Sequence, residues 1–220
     1  MFWVHLDRVM GYWPVLLKGI GMTVSLSILS LMIGVVFGFA FGVLRAGRNR
    51  TLSRLLGIYI DFFRGTPFLL QVFIVFFVLP EIGIELSAFM AGVVALSNIA
   101  ACFIGEIVAA GIKAVPAGQS EAAAASGLTR IQQIRHVVLP QAVRIVTPSL
   151  VGQFVLLIKD SSVVSAIGLL DLTRSGWVIV QSVPNGLLVF GIIGLAYFAI
   201  CYPLIYLSRR MERRGQPTIL

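Results

Sequence analysis

Apolar positions gather into five long runs, covering residues 15–44, 57–79, 86–110, 145–170 and 186–208, with short polar segments between them. A helix crossing the hydrocarbon core of a bilayer needs about 20 mostly apolar residues, and each run approaches or exceeds that length. The pattern therefore predicts an all-α integral membrane fold, a single domain over residues 1–220 with five transmembrane helices. Charges interrupt the pattern at few places. Asp61 and Arg64 lie near the start of the second run, Glu106 near the end of the third, and Lys159-Asp160 inside the fourth.

Two connecting segments carry patterns of their own. Residues 116–140 predict a short helix with a polar face, a break at Gly127 that permits positive φ, and a second helix ending at Leu139-Pro140. Residues 171–185 predict a short interfacial helix from Arg174 to Ser182, with Trp177 at headgroup depth. Pro184 then sets the turn into the last span.

Composition agrees with a membrane assignment. The chain is 58% hydrophobic and 12% charged, with a mean hydropathy of +0.98, whereas a soluble domain has about 25% charged residues. The net charge of +8 does not point to nucleic acid, because the basic residues cluster in short loops beside apolar runs and no basic stripe interleaved with aromatics occurs. Arg45, Arg48, Arg50 and Arg54 follow the first run. Lys113, Arg130, Arg135 and Arg144 lie between the third and fourth, and Arg209, Arg210, Arg213 and Arg214 follow the fifth. Arg8, Lys18 and Arg174 fall on the other side, with Glu81, Glu85 and Asp171. Five crossings with every basic cluster inside place the N-terminus out and the C-terminus in. Asp7, Arg8 and Lys18 precede an apolar run, Gly19 to Leu44, that is too long for a signal peptide. Cys102 and Cys201 sit within apolar runs and read as small buried hydrophobes, since no Cys or His cluster with metal-ligand spacing exists.

Several motifs stand out. Gly34, Gly38 and Gly42 form a ridge of small residues that lets helices approach closely, within one chain or between two. Ala122 to Ala125 present a sterically open surface suited to docking, and Glu121 near a helix start suits the dipole; an ordinary helical hairpin is the plainer reading. Phe63-Arg64-Gly65-Thr66-Pro67, followed by Gln71, predicts a bend at the start of the second span. A charge in the membrane interior is costly and faces a partner or a watery cavity, so Lys159 either pairs with a carboxylate such as Asp61 or Glu106 or serves a pathway. Gln153 lies two helical turns before Asp160, so both can face one cavity. Asn98 in the third span is a further buried amide; alone, such a group is often only glue between helices. The depth of Glu106 favours a structural ion pair.

These blocks together resemble the membrane subunit of ATP-binding-cassette importers, in the branch that takes up polar amino acids. The resemblance rests on Glu121-Ala122-Ala123, Gly127, Ile134 and Leu139-Pro140 with the upstream Val115-Pro116-x-Gly118-Gln119, on Phe63 to Pro67 with Gln71, and on Lys159-Asp160-Ser161-Ser162. It extends from Gly19 to Arg214, with Asn98 and Gly105-Glu106 also matching. Phe103 stands where the family commonly has Tyr, and Ala109-Ala110 where it has Arg-Gly, so substrate identity is left open.

The resemblance implies a permease that moves a polar amino acid by alternating access in the bacterial plasma (inner) membrane. Substrate contacts are expected at Asp160, Asn98, Gln153, Ser161 and Thr66, with Asp160 accepting from the ammonium; a neutral Gln153 favours a neutral or amide side chain over a cationic one. Glu121, Ala122, Ala123 and Gly127 are expected to couple to a separate ATP-binding-cassette ATPase dimer. No GxxxxGK[ST] phosphate loop occurs in the chain, so ATP and Mg belong to that partner, and the chain itself is no enzyme and needs no cofactor or metal. A second permease copy or a paralogue and an extracytoplasmic amino-acid-binding protein complete the expected assembly. The competing reading is a self-sufficient proton-coupled carrier using Asp61, Glu106 and Asp160, but the internal repeats usual for carriers are missing. An intramembrane enzyme would need a nucleophile and base at one depth, and His5 and His136 both lie outside the runs.

Overall fold

In the computed structural model, residues 2–47 and 49–215 are described, with side chains from Leu6 to Glu212 apart from position 48. Arg48 and the side chains of Arg213 and Arg214, all counted among the basic clusters, lie outside the described residues. Among the described residues ten α-helices follow in order: α1 (Phe2–Gly11), α2 (Trp13–Ala46), α3 (Arg50–Gly65), α4 (Phe68–Phe73), α5 (Ala88–Ala114), α6 (Ala117–Ala125), α7 (Arg130–Gln133), α8 (Leu139–Asp160), α9 (Leu172–Ser182) and α10 (Gly186–Gly215). Four stretches of the described residues are long and apolar enough to cross a membrane: α2, α5, the continuous helix from Arg130 to Ile167, and α10 from Gly186 to Glu212. A fifth crossing exists if the bent pair of α3 with Phe68–Ile82 is counted as one.

The core is the α2–α5 pair. Gly34, Gly38 and Gly42 of α2 lie against Ala100, Ile104 and Val108 of α5, in matching steps of four residues. A Cβ added to the three glycines would stand 2.6, 2.6 and 2.5 Å from those side chains, so the small ridge is used within the chain. Leu26, Leu96, Ile104, Leu157 and Val164, all at most 2% exposed, fill the centre where α8 joins this pair. Ser208 of α10 donates to the carbonyl of Pro148 at 3.0 Å, tying α10 to α8.

Span two differs from expectation. Instead of one helix over 57–79, α3 begins at Arg50 and stops at Gly65, and the chain turns by 101° before continuing from Phe68. Pro67 has no N–H to donate and forces the preceding residue away from the helical region; Thr66 is accordingly extended, at φ −103° and ψ 146°. The Gln71 amide spans the corner, donating to the Phe63 carbonyl at 2.7 Å and to Thr66 Oγ1 at 3.0 Å. The bend expected from Gly65-Thr66-Pro67 is thus a full break, and Phe68–Ile82 alone is shorter than the about 20 residues a crossing takes.

Pro140 also differs from expectation, since no helix ends there. The chain runs from α7 through a π-helical stretch, Ile134–Val138, directly into α8. The wider π turn accommodates the ring and the missing donor that would break an α-helix at that point. Span four consequently starts at Arg130 rather than 145. Its far end tightens into a 3-10 turn, Ser161–Ile167, that stops at Gly168 with φ +92°.

At the end of the bundle opposite Arg45 and Arg64, α9 docks on α2 and α10 through a second cluster, Val9, Leu16, Leu172, Ile179, Val189 and Ile193. The interfacial helix predicted over 174–182 starts at Leu172, and Trp177 stands half-exposed, edge-on to Phe190. Asp171 caps α9. Its Oδ1 accepts from the Arg174 N–H at 2.8 Å, while the Leu172 N–H donates to Thr23 Oγ1 at 3.0 Å. Asp171 is fully buried, and burial pushes its carboxyl up from 3.8 to about 6 against the lowering effect of the backbone N–H bonds. A carboxyl raised on folding favours the folded state fully below its unfolded value, and that advantage is lost as pH rises through about 6. Asp171→Asn keeps the acceptor and removes the buried charge. Thermal melts of the detergent-solubilised protein should match wild type near pH 4 and show a variant more stable by about 2–3 kcal/mol above pH 7. A variant melting below wild type at every pH would show that the carboxylate itself is needed.

Candidate functional site

The bend between α3 and α4 opens the side of the bundle. Two adjoining cavities of about 400 and 340 Å³ lie along α3, α4 and α5, and Tyr59 and Asn98 line both. Tyr59 Oη donates to Asn98 Oδ1, fixing the amide of α5 to α3. Thr66 and Gln71 line the smaller cavity, and Ser97 the larger. The walls are apolar and aromatic: Phe37 and Phe41 on one side, Phe62, Phe63 and Ile74 on the other. A few directed polar groups in an apolar cleft of this size are typical of a small-molecule site.

Of the residues expected to contact substrate, Asn98 and Thr66 come together here. Gln153, Ser161 and Asp160 do not line these cavities. Gln153 is buried on α8 at 6% exposure. Ser161 is fully buried, its hydroxyl donating to the Ile158 carbonyl at 2.7 Å. Asp160 is half-buried at the C-terminal end of α8, and neither an ion pair nor a hydrogen bond holds its carboxylate among the described residues. The 3-10 turn that follows packs against both α4 and α5, so the elements bearing the two sets touch although the side chains share no cavity.

Glu106 forms the structural ion pair expected of it, at 2.8 Å from Arg45 of α2 and 3.9 Å from Arg64 of α3. Arg64 also lies over the ring of Phe103, 5.0 Å from its centroid, so the aromatic face at position 103 supports a cation at the corner. Lys159 pairs with neither Asp61 nor Glu106 and is exposed.

The segment after α5 folds into a helical hairpin. Its helix α6 starts at Ala117, behind Pro116, rather than near Glu121. Glu121 is therefore in mid-helix, where the dipole has little purchase. Glu121 and Ala122 are exposed, while Ala123 is buried at 6% where α6 packs on the Ile134–Val138 turn. Gly127 has φ +78°. Its N–H donates to Ala124 at 3.0 Å and the Leu128 N–H to Ala123 at 3.2 Å, the paired pattern that closes a helix through a left-handed residue. Thr129 and Gln132 cap the return helix reciprocally. The result is a short finger whose free face carries mostly small side chains and one acid.

Tyr59 was not singled out from the sequence, nor were Asp171 and Thr23, which hold the start of α9. Asp171 had a legible signal, an Asp immediately before a helix. Tyr59 had none, because its partner lies across the fold, on α5.

Comparison with known proteins places these features in company. Residues 30–215 match the family model described as binding-protein-dependent transport system inner membrane component. The chain is 34% identical, over 91% of its own length and 92% of the relative's, to the arginine transport system permease protein ArtQ of Bacillus subtilis (strain 168). It is 36% identical, over 89% and 91%, to the probable glutamine ABC transporter permease protein GlnP of the same organism. A solved amino acid ABC transporter crystallised with histidines superimposes with a TM-score of 0.86 at 33% identity, covering 94% of this chain and 96% of that one. The MetNI methionine ABC transporter in an inward-facing form shares the fold, with a TM-score of 0.76 at 22% identity over 93% and 98%.

Proposed function

Because the chain belongs to the family of binding-protein-dependent transport system inner membrane components, we propose that it is the permease subunit of an ATP-driven importer that carries a polar amino acid across the bacterial plasma membrane by alternating access. The observation that carries this reading is the agreement in fold, over nearly the whole length, with a solved amino acid ABC transporter. Energy comes from a separate ATPase dimer that binds ATP and Mg and docks on α6. A second permease copy or a paralogue shares the pathway, and a binding protein delivers substrate at the far end. The basic clusters put the α6 end inside; a cysteine at position 130 that reacts from outside with an impermeant thiol reagent, while one at 81 does not, would reverse that orientation.

The substrate is bound by Asn98 and Thr66, with Asp160 accepting from its ammonium, whereas Gln153 and Ser161 are buried in helix packing away from these cavities. Among the described residues no carboxylate lines the Tyr59–Asn98 cavities, which supports an amino acid with an uncharged side chain. Glu121, Ala122 and Ala123 form the docking face, and Gly127 keeps α6 at its angle to α7.

Proteoliposomes containing this chain should take up substrate only with the ATPase and ATP present; uptake by the chain alone on a proton gradient would instead favour the carrier reading. Gly127→Val forces a β-branched residue into a left-handed backbone, at a cost of about 1–3 kcal/mol, and Glu121→Lys reverses the charge of the docking face. Both are expected to abolish uptake and weaken ATPase co-purification, with the protein still in the membrane fraction. Normal transport by either variant would remove the docking role from α6.

A further inference from the structure

We propose that an anionic phospholipid binds behind α6, in a groove at the arginine-rich end of the bundle, with its phosphate on Arg130 and one acyl chain along an apolar floor. The groove has a volume of about 620 Å³. Val43 from the last turn of α2, Ile112 from the last turn of α5, and Ile134, Val138 and Leu139 from the helix running into α8 form the floor. Gly47, just past the end of α2, also lines the groove.

The polar rim selects the ligand chemistry. Arg130, Ser120 and Gln133 contribute to it, and among the described residues no Asp or Glu lines the groove. The Gln133 amide already donates to the Leu128 carbonyl at 2.7 Å, whereas Arg130 makes no ion pair with any described residue. A guanidinium unpaired among the described residues, above an apolar trough, fits a molecule with an anion at one end and hydrocarbon behind it. A guanidinium matches paired phosphate oxygens, and basic pockets between transmembrane helices hold anionic headgroups. The trough begins at the ends of α2 and α5, two helices long and apolar enough to cross a membrane, so a lipid enters it by lateral diffusion. A small soluble phosphate would leave the apolar floor uncovered. Since α6 packs on the Ile134–Val138 turn, a lipid seated there braces the finger from behind. The inference requires only that the chain lies in a membrane and stands apart from the importer reading.

Native mass spectrometry of the full chain, titrated in mild detergent with phosphatidylglycerol or phosphatidylcholine, tests it. The wild-type chain should retain one phosphatidylglycerol with about fivefold preference. Arg130→Gln should lose the preference. Val43→Trp, which fills the trough and keeps the guanidinium, should lose the bound lipid, with circular dichroism showing both variants folded. Equal retention of the two lipids by wild type, or an undiminished phosphatidylglycerol preference in either variant, overturns the proposal. Loss of the bound lipid on adding the ATPase partner would also overturn it, making the groove a subunit contact.

Discussion

Asp160→Asn is expected to abolish uptake while leaving insertion, assembly with the ATPase and basal ATP hydrolysis intact. An ionised side chain within a span costs several kcal/mol unless something compensates it. A purely structural carboxylate would show its partner within the chain, as Glu106 does with Arg45 at 2.8 Å. Asp160 shows none among the described residues; its neighbour Lys159 is exposed, and the Ser162 hydroxyl is taken by the Lys159 carbonyl at 2.6 Å. Half-exposed, the carboxylate is open to a compensating group from outside the chain. The ammonium of an amino-acid substrate, which loses hydration worth several kcal/mol on leaving water, is the group this reading supplies. Asn keeps the shape and removes the charge, so the loss should appear as a fall of about 100-fold in uptake, equivalent to about 2.7 kcal/mol. Radiolabelled uptake, measured beside ATPase co-purification, separates the outcomes. A variant that fails to assemble would make Asp160 a structural partner of Lys159 or of a second subunit. Unchanged uptake would remove Asp160 from the pathway.

Gly38→Leu should prevent accumulation of folded protein altogether. The position admits no side chain: a Cβ there would stand 2.6 Å from both Cβ and Cγ2 of Ile104 and 3.1 Å from the Ala101 carbonyl. Overpacking of a core costs about 1–3 kcal/mol even where side chains can give way, and here the obstacle includes backbone. Since α2 and α5 form the centre on which α3, α8 and α9 are arranged, separating them dismantles the bundle. A charge-free exchange tests the cause. Gly34→Ala alone places a methyl 2.6 Å from the Ala100 methyl, and Ala100→Gly moves the space to the other helix, so the double variant should recover most of the lost thermal stability. Folded Gly38→Leu protein with a wild-type melting temperature would show that the two helices are not held this closely.

Local chemistry made much of this protein legible from its sequence. Lipid admits only segments that satisfy their own backbone, so uninterrupted apolar length locates α2, α5 and α10 directly. Gly127 could be placed because a helix ending in a left-handed residue selects glycine, and the Thr66-Pro67 break because proline lacks the donor a helix needs. The motifs around Glu121, Phe63 and Lys159 sufficed to identify the family. Tertiary structure decided what depends on partners distant in sequence. The turn of 101° at Thr66 is set by Gln71 and by packing on α5 as well as by the proline. The π turn that carries the helix through Pro140 has no sequence signature, because it answers a local geometric problem that a break would solve equally well. Whether the Gly34–Gly42 ridge met another subunit or its own α5 depended on which helix lay opposite. Asn98 met Tyr59 beside a cavity it shares with Thr66, while Gln153 went into the core, because rotation about a helix axis in an all-apolar span is fixed by neighbours and not by an amphipathic pattern: with every face hydrophobic, periodicity carries no direction.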